Sequence, residues 1–362
     1  MLRLKMLGAV AAGACLVAAS VTGIQAIGRG RTLVVTMTND PDSNQIKVYD
    51  AVSHVLLQTL STHGKGGVGG NARGIKQSDG ALVAVVNNGS GTVAIFRRTG
   101  DTLKFDRLVS TTSAPVSVDF GNGHMYVAGA TSVDSFVAQE RSVEWMDGST
   151  TLALAGGGVP AAGSTAQVGV ASDRQLLVTL KADPDPGTVD IIALDRGRIT
   201  GSDPVAVSAP QGSLTPFGFA TYTDGTALIS LAHSNEDALF RDGSFTSVVA
   251  AGQAASCWMT RVGKYVFVAN TGSRTISRLV GTGSHVFIDD PIAANVPTGS
   301  PADVDADSGV LAVVDHGAGQ SHLTLFNYNE LGELTAAGTP IAIGAADANA
   351  VAILAPRADE RD

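Results

Sequence analysis

The chain reads as a succession of short apolar runs that end in small or polar residues, without helical periodicity. Seven runs share one shape: Leu33–Asp40, Leu82–Gly89, Met125–Thr131, Leu176–Asp183, Leu228–Ser234, Val266–Gly272 and Leu311–Gly317. Their starts lie roughly 38 to 52 residues apart, the span of one four-stranded propeller blade. A second strand follows each run after a short polar loop: Gln45–Tyr49, Thr92–Phe96, Val143–Trp145, Thr188–Ile192, Thr275–Leu279 and His322–Phe326, with a degenerate Asp237–Phe240 in the fifth copy. A further strand precedes six of the runs across tight turns such as Gln77–Gly80, Gly121–Gly123, Thr223–Gly225 and Asp307–Gly309. Glycine in such turns accepts the positive φ that hairpins need.

The first run has no such strand upstream; its counterpart is Ala348–Leu354, at the far end of the chain. The pattern therefore predicts an all-β, seven-bladed β-propeller over residues 27–356. The ring is closed by the C-terminal strand pairing in the N-terminal blade, with residues 345–356 innermost beside 31–39. Closure leaves no terminal blade unpaired, whereas a linear solenoid would need capping repeats. The Gly64–Gly70 stretch spells G-x-G-x-x-G, but no helix follows it, so it reads as a connection between blades.

Two segments carry a family resemblance. Val266–Ser277 resembles the YVTN-type propeller repeat, and Ser113–Ala128 resembles the blade signature of the lactonase family. That family includes 6-phosphogluconolactonases and carboxymuconate-lactonizing enzymes. The resemblance covers nearly all of residues 30–356 and implies the propeller fold. Members usually carry a His-Pro pair entering an inner strand, followed by His, Arg and Glu positions. Here the matching entry is Ala114-Pro115, so no catalytic residue is carried over.

Composition refines this picture. The 43 glycines among 362 residues suit many tight turns, and 44% hydrophobic content supports a sizeable core. Residues 1–26 read as a signal peptide: Arg3 and Lys5, then an apolar stretch from Met6, then small residues up to Ala26. The expected location is therefore secreted or periplasmic, with an uncleaved N-terminal anchor as the alternative. Residues 357–362 read as a disordered tail. Removal of residues 1–26 would take Arg3, Lys5 and Cys15 with it, shifting the formal charge from −9 to −11 and leaving Cys257 without a partner. An acidic surface without Lys/Arg clusters argues against nucleic acid and anionic membranes as partners. A monomer is expected. Cys257 reads as a buried small hydrophobe rather than a nucleophile.

Topology narrows the search for chemistry. The loop after each second strand and the entry to each innermost strand share one face, around a central channel. On that face His233 and His316 occupy equivalent loops. Either could serve as acid or base if oriented by Glu236 or Asp315. Arg73, before an innermost strand, suits a carboxylate or phosphate, with an inter-blade salt bridge as its structural reading. Asn88, Asn270 and Lys181 are the other candidate substrate contacts. Asp40, Asp42, Asp183 and Asp185 form equivalent Asp-Pro-Asp loops that suggest calcium, although Asx turns use the same residues. No G-x-S-x-G elbow, H-E-x-x-H or paired C-x-x-C is present. The expected function is a lactonase-like hydrolase or isomerase acting on a small anionic lactone, by acid–base or metal-assisted ring opening. The alternative is a non-catalytic extracytoplasmic propeller that binds a protein or glycan.

Overall fold

The computed structural model describes residues 30–181, 186–222, 224–282 and 285–356. The signal segment, the tail, and Asp183 and Asp185 lie outside the described residues. Those described form seven antiparallel sheets. The innermost strands, in ring order, are Asn349–Leu354 (blade 1), Ile75–Ser78 (blade 2), Pro115–Gly121 (blade 3), Thr165–Ser172 (blade 4), Pro216–Thr221 (blade 5), Ser256–Val262 (blade 6) and Ser300–Asp307 (blade 7). Each packs beside the next and the last beside the first. The seven-bladed propeller is thus observed, and so is its closure. Leu33 pairs with Leu354 and Val35 with Ala352, antiparallel, with a register shift between Thr36 and Met37.

The apolar runs are the second strand of each blade. Leu82–Asn87 is buried at every position, because a blade packs against a neighbour on both faces. That is why these strands read as unbroken hydrophobic runs rather than alternating ones. One placement in the sequence reading is corrected. The third strand of blade 3 is Ser132–Gln139, and Val143–Trp145 belongs to the outer strand Ser142–Thr151. Ser132, Asp134 and Ser135 are buried but polar, so the strand lacks the hydrophobic pattern that would reveal it. Asp134 accepts hydrogen bonds from the Ser149 hydroxyl (2.6 Å) and the Thr112 amide (2.8 Å).

Seven innermost strands expose seven unpaired edges to the channel, and an unmet buried N–H costs about 1–3 kcal/mol. Polar side chains of each blade serve the following one. Asn349 of blade 1 donates to Asn71 (3.0 Å), and Asn71 donates to the Val116 carbonyl of blade 3 (2.8 Å). Ser117 and Asp119 accept from the Val168 and Val170 amides of blade 4 (3.1 and 2.9 Å). Gln167 bonds both the N–H and the C=O of Phe219 in blade 5 (2.9 and 2.8 Å). Ser230 donates to the Cys257 carbonyl (2.8 Å) and Thr271 to the Pro301 carbonyl (3.2 Å). Asp303 and Asp305 of blade 7 accept from the Val351 and Ile353 amides of blade 1 (3.3 and 2.9 Å). Cys257 is buried, as expected, and burial pushes its thiol up to about 11.

Truncation after Asp347 removes the closing strand and uncovers both the edge of Leu33–Met37 and an apolar blade face. Cooperative thermal unfolding, followed by circular dichroism, should be lost. An unchanged melting transition would contradict the closure.

Burial raises the Asp303 carboxyl to about 7, and Asp237 likewise. In the unfolded chain such groups titrate near 4. Between these values the unfolded state loses the proton first. The stability these groups contribute is therefore full below about pH 4 and is lost as pH rises through 7. The melting temperature should fall between pH 5 and 8, and Asp303→Asn should flatten that fall.

Candidate functional site

The channel has two mouths of different character. The starts of the innermost strands and the loop before blade 2 enclose a cavity of about 430 Å³ lined by Trp258, His316, Asn349, Asn39, Asp347 and the glycines around Val68. The ends of the innermost strands enclose a second cavity, of about 340 Å³, at the other mouth. The first lies on the face picked out by topology.

Its floor and walls follow from local chemistry. Asn39, at φ 55, accepts the Gly67 and Val68 amides (2.9 and 3.1 Å) and donates to the Val68 carbonyl (2.8 Å). It pins the Gly64–Gly70 loop over the channel. Trp258 sends its indole N–H to the Asn71 carbonyl (2.7 Å) and stacks edge-on against Phe217 at 5.3 Å. The Lys181 ammonium sits over the Phe217 ring at 5.4 Å and donates to the Gly70 carbonyl. Its burial lowers the amine from 10.5 to about 8. Glycine suits position 70: its φ is +57, and a Cβ would stand 2.8 Å from the Lys181 amine, which would have to shift.

His316 is held by its Nε2, which donates to the Ala348 carbonyl at 2.6 Å. A carbonyl can only accept, so the neutral ring must carry its proton on Nε2. Nδ1 is left with a lone pair and no hydrogen bond to a described residue. Asn349, 5% exposed, gives its amide N–H to Asn71, while its Oδ1 has no partner among the described residues. The mouth therefore offers a histidine ring and an uncommitted acceptor on its wall, with the Lys181 ammonium bound to the lining residue Gly70.

The structure separates several residues that the sequence reading had grouped. Asp315 does not orient His316, because successive strand residues point to opposite faces. Asp315 turns into blade 7, where its carboxylate accepts from the Thr298 and Thr324 hydroxyls (2.8 and 3.0 Å) and burial raises its pKa. Its neighbour is His322, directly opposite in the ladder, with Nδ1 3.6 Å from Oδ1. His233 is exposed, bonded to the Thr215 hydroxyl at 2.9 Å, and lines neither of the two mouth cavities. Glu236 instead accepts from Ser213 (2.7 Å). Arg73 lies at the other mouth, 3.9 Å from Asp119 of the next blade, as its salt-bridge reading anticipated.

Asn88 donates to the Pro115 carbonyl (3.0 Å). Asn270 is buried on the Thr275 and Ser277 hydroxyls (3.1 and 2.8 Å). Asn88 thus ties blade 2 to blade 3, and Asn270 secures a loop within blade 6. Asp40 accepts the amides of Asp42 and Ser43 (both 2.8 Å), which lower its pKa. That is an Asx turn. Among the described residues no three His, Cys, Asp or Glu side chains cluster to hold a metal ion.

Trp258, Phe217 and Asp347 were not singled out by sequence reasoning. The one available signal was an indole two residues into an innermost strand. Of the sequence candidates, His316 and Lys181 are the ones this mouth brings into play.

No protein-family model and no curated protein matches the chain. Solved structures do. A 6-phosphogluconolactonase candidate from Bacteroides uniformis aligns with a TM-score of 0.64 at 13% identity, over 90% of this chain and all of that one. The periplasmic gluconolactonase of Pseudomonas aeruginosa aligns at 0.63 and 15% identity, over 91% of this chain and all of its own. Virginiamycin B lyase from Staphylococcus aureus aligns at 0.52 and 15% identity, over 74% of this chain and 84% of its own. Likeness at this level concerns the backbone, and it joins the sequence repeat and the closed ring in one conclusion: the chain has the seven-bladed β-propeller fold seen in these proteins.

Proposed function

We propose that this chain is an exported lactonase-like hydrolase whose site is the mouth lined by His316, Trp258 and Asn349, with Lys181 at its rim. The observation that carries the reading is the His316 tautomer. With Nε2–H committed to Ala348, Nδ1 is the basic atom of a ring that lines the cavity. Nδ1 takes a proton from water, and the water oxygen forms a bond to the lactone carbonyl carbon. The carbonyl oxygen becomes an oxyanion, opposite in charge to the Lys181 ammonium. The ring C–O bond then breaks, and the alkoxide leaves with the proton returned from the imidazolium. A small lactone carrying an anionic group suits the same ammonium. The periplasmic gluconolactonase with this fold supports both the reaction class and a location outside the cytoplasm.

His316→Ala should lower kcat by about 10²–10⁴-fold, the range for losing a general base, on a panel of lactones assayed by pH-stat. Melting temperature should be unchanged. Turnover unaffected by the substitution would remove the site from this mouth. No turnover on any lactone, with or without calcium, together with tight binding to an extracytoplasmic protein or glycan, would favour a binding propeller.

The Lys181 amine is charged below about pH 8 and neutral above it. Activity that relies on the ammonium should therefore decline as pH rises through about 8. Lys181→Met should lower kcat/KM and abolish that alkaline decline, measured on the lactone turned over best.

A further inference from the structure

The opposite mouth carries chemistry that the proposed reaction does not use. Three cations meet there from two sides of the channel. Arg73 and Lys76 come from blade 2 and Arg261 from blade 6, nearly across the ring. Three carboxylates line the same cavity: Asp119, Asp305 and Asp307.

The two charge types differ in what remains unmet. Asp119 accepts the Val170 amide, Asp305 accepts the Ile353 amide and, at 3.4 Å, the Thr260 hydroxyl, and Asp307 accepts the Ser308 hydroxyl (3.0 Å). These acids are engaged in the frame. The Arg73 side chain is only 17% exposed, yet its guanidinium makes no hydrogen bond to a described residue, and its nearest carboxylate oxygen, on Asp119, is 3.9 Å away. Lys76 stands 4.0 Å from the other Asp119 oxygen, again beyond a hydrogen bond. Arg261 spends one nitrogen on the Gly263 carbonyl (2.8 Å) and stacks at 5.0 Å on Tyr222. The mouth therefore keeps unmet donors on Arg73, Lys76 and Arg261, beside carboxylates that each accept at least one bond from the frame. Arg73 is also held at φ 56, a left-handed backbone that a non-glycine residue adopts at a cost. Such strain gathers at ligand sites.

We propose that this mouth is a second binding site, for a small dicarboxylate that spans the channel. One carboxylate takes the forked donors of Arg73 together with Lys76, and the other takes the free nitrogens of Arg261. A guanidinium fork matches a planar carboxylate in geometry. The cavity, about 340 Å³, admits a molecule of a few carbons.

Isothermal titration calorimetry with succinate and glutarate tests this, with acetate at matched ionic strength as the one-ended comparator. The wild-type chain should bind at least one dicarboxylate at least about tenfold more tightly than acetate. Arg261→Gln and Arg73→Gln should each weaken that binding about tenfold or more, the loss of one charge-assisted fork. Should Arg73→Gln fail to fold, the half-exposed Arg261 decides alone. His316→Ala should bind the dicarboxylate as wild type does, whether or not it hydrolyses lactones. Absence of binding by the folded wild type overturns the proposal, as does binding unchanged in Arg261→Gln. Binding lost in His316→Ala would also overturn it, since the ligand would then occupy the first mouth.

Discussion

Seven strand edges facing one channel are the constraint on which this molecule depends. In an open sheet an edge strand can be shielded by solvent or by a covering loop. Here the innermost edges converge, and their amides and carbonyls must be met from within the ring. The solution is sequential: Ser117, Asp119, Gln167, Ser230, Asp303 and Asp305 each reach the backbone of the following blade. Each blade thereby becomes the hydrogen-bonding partner of its neighbour, so closure by Asn349–Leu354 completes a circuit as well as a sheet.

That circuit also determines where function can sit. Along the middle of the channel the polar side chains are committed to backbone, and Asp303 is buried deeply enough for its carboxyl to rise to about 7. Among the described residues, both mouths hold groups that the frame does not engage. At one, a histidine tautomer fixed by the Ala348 carbonyl and a desolvated lysine flank an aromatic floor. At the other, three cations from blades 2 and 6 face three carboxylates, and Arg73 and Lys76 make no hydrogen bond to a described residue. The same structural need, capping inner edges, thus consumes most of the polar residues that might otherwise be mistaken for chemistry.

A gluconolactonase and virginiamycin B lyase each align with the backbone of this chain, whose sheets supply a rigid ring. Reactivity comes from short loops and strand ends, whose residues change without disturbing the apolar faces between blades.

The architecture was legible in the linear chain for a definite physical reason. The second strand of every blade is buried on both faces, so it must be apolar without interruption, and seven such runs at blade spacing announce seven blades. The orphan strand Ala348–Leu354 announced closure, since the first blade lacked it. Blade 3 was misread where Ser132, Asp134 and Ser135 replace apolar residues with buried hydrogen bonds. The site was less legible. Loop equivalence drew attention to His316 and Lys181, but it could not separate His316 from His233, nor tell that Arg73 runs to the opposite mouth. Strand alternation forbids Asp315 and His316 from sharing a face, and cross-strand register assigns Asp315 to His322 instead. Burial periodicity is written residue by residue along the chain, whereas the convergence of Trp258, His316 and Asn349 from three blades on one cavity exists only once the ring has closed.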